Sequence, residues 1–257
     1  MNIIVDEKSW AEDVLSGNLK PTSQMLALVI LGKYYIEKGD STTALRKDLE
    51  GYLSNNGYHP ESIVSQGMID KAIVSAKKAK LFIMTPIHIK AEELAKIDSL
   101  KNAQARRLAF TLLCLSRYFD QRYESGEGWV TIEDCKIMQM ANIKTSIERQ
   151  TILYNQLAEA GMVRFAHKVD DCKMQVTFRG GKDDILEIKD LRNLGYQYMA
   201  LTQEGFHRCV NCGLTFKTPP KDTPRGRKIK YCEDCAKKIA IRQRVEWMAN
   251  KRKEVKS

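Results

Sequence analysis

Two Cys-x-x-Cys pairs, Cys209-Val-Asn-Cys212 and Cys232-Glu-Asp-Cys235, stand 19 residues apart in the last fifth of a 257-residue chain. Each such turn aims two thiolates at one point, and two turns supply the four soft ligands that a tetrahedral zinc takes. Gly213, just after the second ligand, allows the tight turn that brings backbone N–H groups toward the sulfurs. Four protein ligands fill the coordination sphere, so the spacing predicts one structural Zn2+ with no open position for a substrate water. Phe206, Leu214 and Phe216 flank the first turn and are placed to shield the site, and His207 reads as a solvated neighbour rather than a ligand. A redox dithiol would need only one pair. The other three cysteines, Cys114, Cys135 and Cys172, are scattered singly, and seven is an odd number. This usage fits a reducing cytoplasm and a metal site, not a disulfide framework.

Charge sharpens the reading of this segment. Residues 1–205 carry 27 basic and 27 acidic side chains, whereas residues 206–257 carry 15 basic and five acidic ones. The whole formal excess of +10 therefore belongs to the cysteine-bearing tail. The loop between the pairs holds Lys217, Lys221, Arg225, Arg227, Lys228 and Lys230, stiffened by Pro219, Pro220 and Pro224. From Glu233 onward the pattern is helical, with Ile241, Val245 and Met248 in a narrow apolar stripe beside Trp247, and with Lys237, Lys238, Arg242 and Arg244 around it. A helix growing out of the second cysteine turn makes residues 206–257 a treble-clef or zinc-ribbon module. Lys and Arg held in place contact phosphates at a low ordering cost, and counterion release supplies affinity. The implied partner is a nucleic acid, DNA foremost.

The rest of the chain reads as mainly helical with small β-hairpins, an α+β chain of repeated pattern. Residues 1–19 form a short helix or arm. From Pro21 an apolar helix runs through Met25–Tyr35 and is broken by Gly39-Asp40. Ser41-Thr42-Thr43 can cap a second helix with Leu45, Leu49, Tyr52 and Leu53 on one face. A third begins at Pro60-Glu61 and turns Ile63, Ile69, Ile73 and Val74 inward. Leu81–Met84 and Ile87–Ile89, separated by Thr85-Pro86, read as paired extended segments. Three helices followed by a strand pair outline a winged helix over 20–90.

After a connector at 91–103, the outline recurs over 104–180. Leu108–Phe119 is apolar, and Arg117-Tyr118-Phe119 echoes Lys33-Tyr34-Tyr35. Thr131-x-x-Asp134 and Thr145-x-x-Glu148 are capping boxes for two further helices, the second ended by Gly161. Met162–Ala166 and Met174–Phe178 flank an Asp170-Asp171 turn, which would be the wing. The third helix offers Arg149, Gln150, Tyr154 and Asn155 on an outer face, types that contact base edges or phosphates. This second winged helix carries 11 basic and nine acidic residues, so it is not an electrostatic magnet, and a protein-binding role is open to it as well. A connecting segment, 181–205, follows. In it Tyr196 and Tyr198 are expected to pack the tail module rather than stack on bases.

The run Arg107–Tyr118, the Leu157–Val163 helix-to-wing step, Arg192–Tyr198 and the Cys209–Gly213 knuckle resemble a group of bacteriophage and mobile-element proteins that join winged helix-turn-helix modules to a C-terminal zinc module. The resemblance covers about residues 20–240. It implies a setting in phage replication or gene regulation and the zinc positions Cys209, Cys212, Cys232 and Cys235, and it brings no catalytic residue.

No Walker loop, dinucleotide fingerprint or His-Glu-x-x-His is present, and the four His are unpaired. The chain is expected to be a binding protein, with nuclease chemistry from scattered carboxylates as the alternative. Its start lacks the basic-then-apolar pattern of a signal peptide, and Met25–Leu31, the best apolar run, is too short to span a bilayer. Two functions are expected. One is a cytoplasmic nucleic-acid-binding accessory or regulatory protein; the other is a module that docks on, or inhibits, a host or phage nucleoprotein complex such as a defence system.

Overall fold

The computed structural model describes residues 3–166, 173–218 and 229–254. Two compact units divide the chain, Asn2–Thr85 and Pro86–Ser257.

In the first unit, Asp6 caps helix α1 (Glu7–Leu15) by accepting from Ser9 N. Then follow α2 (Gln24–Glu37), α3 (Thr42–Asn55) and α4 (Ile63–Ala76). Ser23, Ser41 and Ser62 are their N-caps, each accepting a backbone N–H of the first turn. Such caps satisfy donors that a helix start leaves unpaired. Gly39, at φ +92°, follows the end of α2 where the sequence predicts a break. The core collects Leu28, Ile30 and Leu31 of α2, Leu45, Leu49 and Leu53 of α3, and Ile69, Ala72 and Ile73 of α4. Gly32 is needed where α2 meets α4, because a Cβ there would stand 2.9 Å from Ala76 Cβ.

Three expectations are overturned in this unit. Residues 1–19 hold the short helix, α1, and not an arm, since Ala11 and Val14 belong to the core. Ile63 and Val74 point outward, 92% and 56% exposed. They lie three turns apart on one face, opposite the face that buries Ile69, Ile73 and Ala76. Finally, the segment 81–84 does not pair with 87–89. It runs back along the N-terminus: Glu7 N donates to Phe82 O at 2.9 Å, Met84 N donates to Val5 O at 2.7 Å, and Asp6 and Ile83 form a bridge. Thr85-Pro86 lacks the positive-φ residues of a tight hairpin, and Pro86 has no N–H to give.

The second unit opens with β1 (Ile87–Lys90) and α5 (Ala91–Asp98), so residues 91–103 are in good part helix and not a simple connector. Helix α6 (Ala103–Tyr123) is capped by Asn102 and buried along most of its surface. Strand β2 (Trp129–Val130), α7 (Asp134–Met140), α8 (Ile147–Glu159), β3 (Val163–Phe165) and β4 (Met174–Val176) follow. The three strands form an antiparallel sheet in the order β2-β4-β3. Helix α8 starts one residue later than the Thr145 box predicts, with Ser146 as N-cap, and Gly161 ends it at φ +67°. The Asp170-Asp171 turn lies outside the described residues. Strand β5 (Asp184–Ile188) returns to pair with β1, with Ile87 opposite Ile188. Helix α9 (Leu194–Met199), the hairpin β6 (Phe206–Arg208) and β7 (Thr215–Lys217), and α10 (Glu233–Glu254) complete the chain.

The two units share a plan that residue identity only hints at. In each, a helix (α1 or α5) carries a fully buried glutamate, and a long apolar helix (α2 or α6) supplies its cation. Glu7 Oε2 accepts Lys33 Nζ at 2.9 Å and Phe82 N at 2.9 Å. Glu93 Oε1 accepts Arg117 Nη2 at 2.5 Å and Gly180 N at 2.8 Å. The donors Phe82 and Gly180 both belong to the segment that returns after the third helix. Lys33 and Arg117 are 84 residues apart, and so are the helix caps Ser62 and Ser146 and the buried pairs Ile69/Leu153 and Ile73/Leu157.

Candidate metal centre and basic module

The β6–β7 hairpin sets up the first cysteine turn, with His207 opposite Phe216 and Arg208 opposite Thr215. Beyond Arg208 the chain makes a knuckle: Gly213 N donates to Cys209 O at 2.9 Å and Cys209 N donates to Leu214 O at 2.9 Å. Gly213 sits at φ +72°, the left-handed conformation that the turn needs. Cys232 and Cys235 lie at the start of α10, and Val210 N donates to Lys230 O at 3.0 Å, tying the two halves together.

All four sulfurs lie within 4.8 Å of one another, and Cys212 Sγ is 3.6 Å from Cys232 Sγ. A zinc at about 2.3 Å from each sulfur gives tetrahedral edges of about 3.8 Å. The cysteines therefore stand where a metal ion such as zinc can be held. Cys209, Cys232 and Cys235 are buried, with Leu214, Phe216 and Tyr231 packed against the cluster. Phe206, expected among the shielding residues, packs instead on Tyr196, ring centroids 5.4 Å apart. Asn211 Nδ2 donates to Cys235 Sγ at 3.3 Å.

The electrostatics of the cluster favour a cation. Burial opposes ionisation of Cys209, but backbone N–H groups of Cys232, Cys212 and Asn211 outweigh it and bring that thiol down to about 6. Burial pushes Cys232 up to about 12 and raises Cys212 as well. One thiolate is thus readily formed, and further ones are resisted by desolvation and by like charge close at hand. A divalent cation at the centre removes that repulsion.

Two residues of the β5–α9 link hold the knuckle in place. Arg192, gripped by Asp190, donates from Nη2 to Cys212 O at 2.8 Å. Asn193, at φ +51°, donates to Thr215 O at 3.0 Å and accepts from Asn142 Nδ2 at 3.1 Å. The run Arg192–Tyr198 is marked in the sequence only by resemblance, and this role of its first two residues is not legible there, because the partners are backbone carbonyls 20 and 22 residues away. The tyrosines pack, as the sequence predicts: Tyr198 is buried against Phe110 and donates to Asp98 Oδ1 at 2.5 Å.

The basic residues fall into three groups. Lys217 at the end of β7 and Lys230 are exposed, as are Lys237, Lys238, Arg242 and Arg244 on α10. Lys221, Arg225, Arg227 and Lys228 lie outside the described residues. On α8, Arg149 and Asn155 are exposed, and Gln150 is half-buried, donating to Thr145 O at 3.3 Å. Tyr154 corrects the expected outer face. It is buried, 6% exposed, and donates to Asp134 Oδ1 at 3.1 Å. Its place beside Leu153 and three residues before Leu157 puts it on the edge of the core stripe, where an amphipathic ring is drawn inward.

Among the described residues no helix is long and apolar enough to cross a membrane. Compared with protein-family models, with curated proteins and with solved structures, the chain matches none.

Proposed function

We propose that this is a nucleic-acid-binding accessory or regulatory protein, acting on DNA in a reducing cytoplasm, in which one structural zinc organises a basic grip on phosphates. The observation that carries it is α10: from Glu233 to Met248 nearly every residue outside Cys235 is exposed, and Lys237, Lys238, Arg242 and Arg244 project from a helix rooted in the four-cysteine centre. Cys209, Cys212, Cys232 and Cys235 would hold the zinc, whose chemistry there is to lock the hairpin to the helix. It leaves no ligand position for a reaction, so the reading is a binding protein and not an enzyme. Helices α6–α8 with the sheet β2-β4-β3 have the element order of a winged helix, which supports a role for the second unit in selecting the target. Lys→Glu changes at Lys237 and Lys238 should weaken DNA binding evenly across sequences and reduce its salt dependence. Binding that ignores salt and survives both changes would sink the proposal.

A second reading rests on α4. Its outer face carries Ile63, Val64 and Val74, 92%, 74% and 56% exposed, which suits a protein surface better than a phosphate backbone. On this reading the first unit docks on a host or phage protein. A defined partner retained after nuclease treatment and lost with Ile63→Glu favours it; loss of every partner on nuclease treatment counts against it.

A further inference from the structure

The sheet β2-β4-β3 buries one face and presents the other. Val130, Met174, Val176 and Val163 point into the core. On the opposite face, register places Trp129 beside Gln175 and Gln175 beside Arg164, one row across all three strands. Strand alternation continues that face to Thr177 and Arg179 beyond the end of β4. The row borders a concavity of about 630 Å³, lined by Arg117, Arg164, Arg179, Gln175, Thr177 and Glu127 among others.

Three arginines from three parts of the chain line it: from α6, β3 and the segment after β4. Their carboxylate partners are arranged unevenly. Glu93 holds Arg117 and Asp120 holds Arg179, but neither carboxylate lines the concavity. Two of the arginines thus line the concavity while the carboxylates that hold them do not. Glu127 does line it, with Oε2 accepting from the Trp129 indole at 2.8 Å. Arg164 has no ion-pair partner among the described residues.

Two of these arginines are fixed before any ligand arrives. Arg117 is held at 2.5 Å by Glu93. Arg179 fills space that exists only because residue 128 is glycine, where a Cβ would collide with its guanidinium. Its Nη2 meets Asp120 Oδ2 at 2.5 Å, and its Nε is buried without a hydrogen-bond partner among the described residues. Asp120 is itself pinned by Ser125 Oγ and Gly128 N, each at 3.0 Å. Side chains already ordered lose little freedom on binding. A planar carboxylate is met by one guanidinium fork, whereas a tetrahedral phosphate offers oxygens in several directions. Three arginines on one concavity, with the Gln175 amide and the Trp129 indole in the adjoining row, fit a phosphate attached to a base.

We propose that this face of the sheet is a phosphate-binding site for a nucleotide unit, with Arg164, which has no ion-pair partner among the described residues, as the responding cation, Arg117 and Arg179 as preset donors, and the second N–H of the Gln175 amide, whose Nε2 also donates to Glu127 O, as a neutral donor. It is separate from the basic module and does not require the DNA reading of α10. The source of the phosphate is either a free nucleotide or a single-stranded segment of nucleic acid.

The test is calorimetry on the full zinc-loaded chain, wild type, Arg164→Ala and Arg164→Lys, with inorganic phosphate, adenosine 5′-monophosphate and a ten-residue oligothymidylate as separate probes. Melting temperature and zinc content are measured in parallel, and both should be unchanged because Arg164 is exposed. Arg164→Ala should weaken binding at least tenfold, and Arg164→Lys should restore part of it. If the mononucleotide responds, the source is a free nucleotide; if only the oligonucleotide responds, it is a strand. If no probe binds the wild type at millimolar concentration, or if Arg164→Ala binds every probe as the wild type does, the site is refuted. Loss of duplex DNA binding in Lys237→Glu/Lys238→Glu with this response intact would separate the two proposals.

Discussion

Glu93 has no exposed surface, and its Oε1 stands 2.5 Å from Arg117 Nη2. The same carboxylate accepts the backbone N–H groups of Gly180 and Lys90, at 2.8 and 2.9 Å. It therefore joins α5, α6 and the segment leading to β5 at one point. Glu7 does the equivalent in the first unit, through Lys33 and Phe82.

Removing one partner of such a pair leaves the other buried without compensation. Glu93→Ala should destabilise the second unit by about 3–5 kcal/mol, the range seen when a buried ion pair is broken from one side. Double replacement of Glu93 and Arg117 by apolar residues should cost less than Glu93→Ala. Urea unfolding of the single and double variants checks this, and equal losses would contradict it.

The cysteine centre predicts one zinc per chain by elemental analysis. Metal binding and folding of such a site are coupled. Chelation, or Cys232→Ser, should open residues 206–254 to protease while the helical body ahead of Arg192 keeps its thermal transition. Zinc-free protein whose tail resists protease as well as the loaded form would argue against a structural ion.

Gly195 of α9 packs so closely on the end of α7 that a Cβ would overlap the Ala141 carbonyl. The obstacle is backbone, so it cannot rotate away. Gly195→Ala should cost about 1–3 kcal/mol or more, the range for overpacking. Because α9 follows directly on the link that grips the knuckle, the variant should also release zinc faster. Chelator competition read by colorimetry measures the second effect.

Alkaline pH should weaken the fold in a defined window. Burial, with Asp134 beside it, raises the Tyr154 hydroxyl above its usual range, and burial raises the Cys114 thiol likewise. In the unfolded chain these groups ionise near about 8.5 for the thiol and about 10 for the phenol. Above those values the unfolded state holds fewer protons than the folded one, so stability falls as pH rises. Melting temperatures from pH 8 to 11 should decline, and Tyr154→Phe should flatten the decline above pH 10 after an initial loss of about 1 kcal/mol for the hydroxyl.

Much of the local structure is legible in the sequence because it depends on neighbours a few residues away. Ser41 caps α3, and Gly39 and Gly161 close helices at positive φ, as their types and positions require. The two cysteine pairs converge because each turn is local and Gly213 permits it. Other features resist such reading. Tyr154 turns inward and Ile63 outward, against the pattern, because one step along a helix turns a side chain by about 100° and the border of an apolar stripe does not say which way a residue on it goes.

Spacing and residue type alone determined the four-cysteine set, the helices that carry the two repeats, and the segregation of charge into the tail. Tertiary structure alone decided that β1 pairs with β5 across nearly a hundred residues, that Glu93 sits beneath Arg117, and that Arg117, Arg164 and Arg179 share one concavity. The reason is physical: caps and turns are satisfied by groups close in the chain, whereas a strand partner or a buried ion pair is chosen only when the collapsed core offers it. The tail's excess of charge is written in the sequence; the three arginines, embedded in a nearly neutral segment, are brought to one concavity only by the folded sheet.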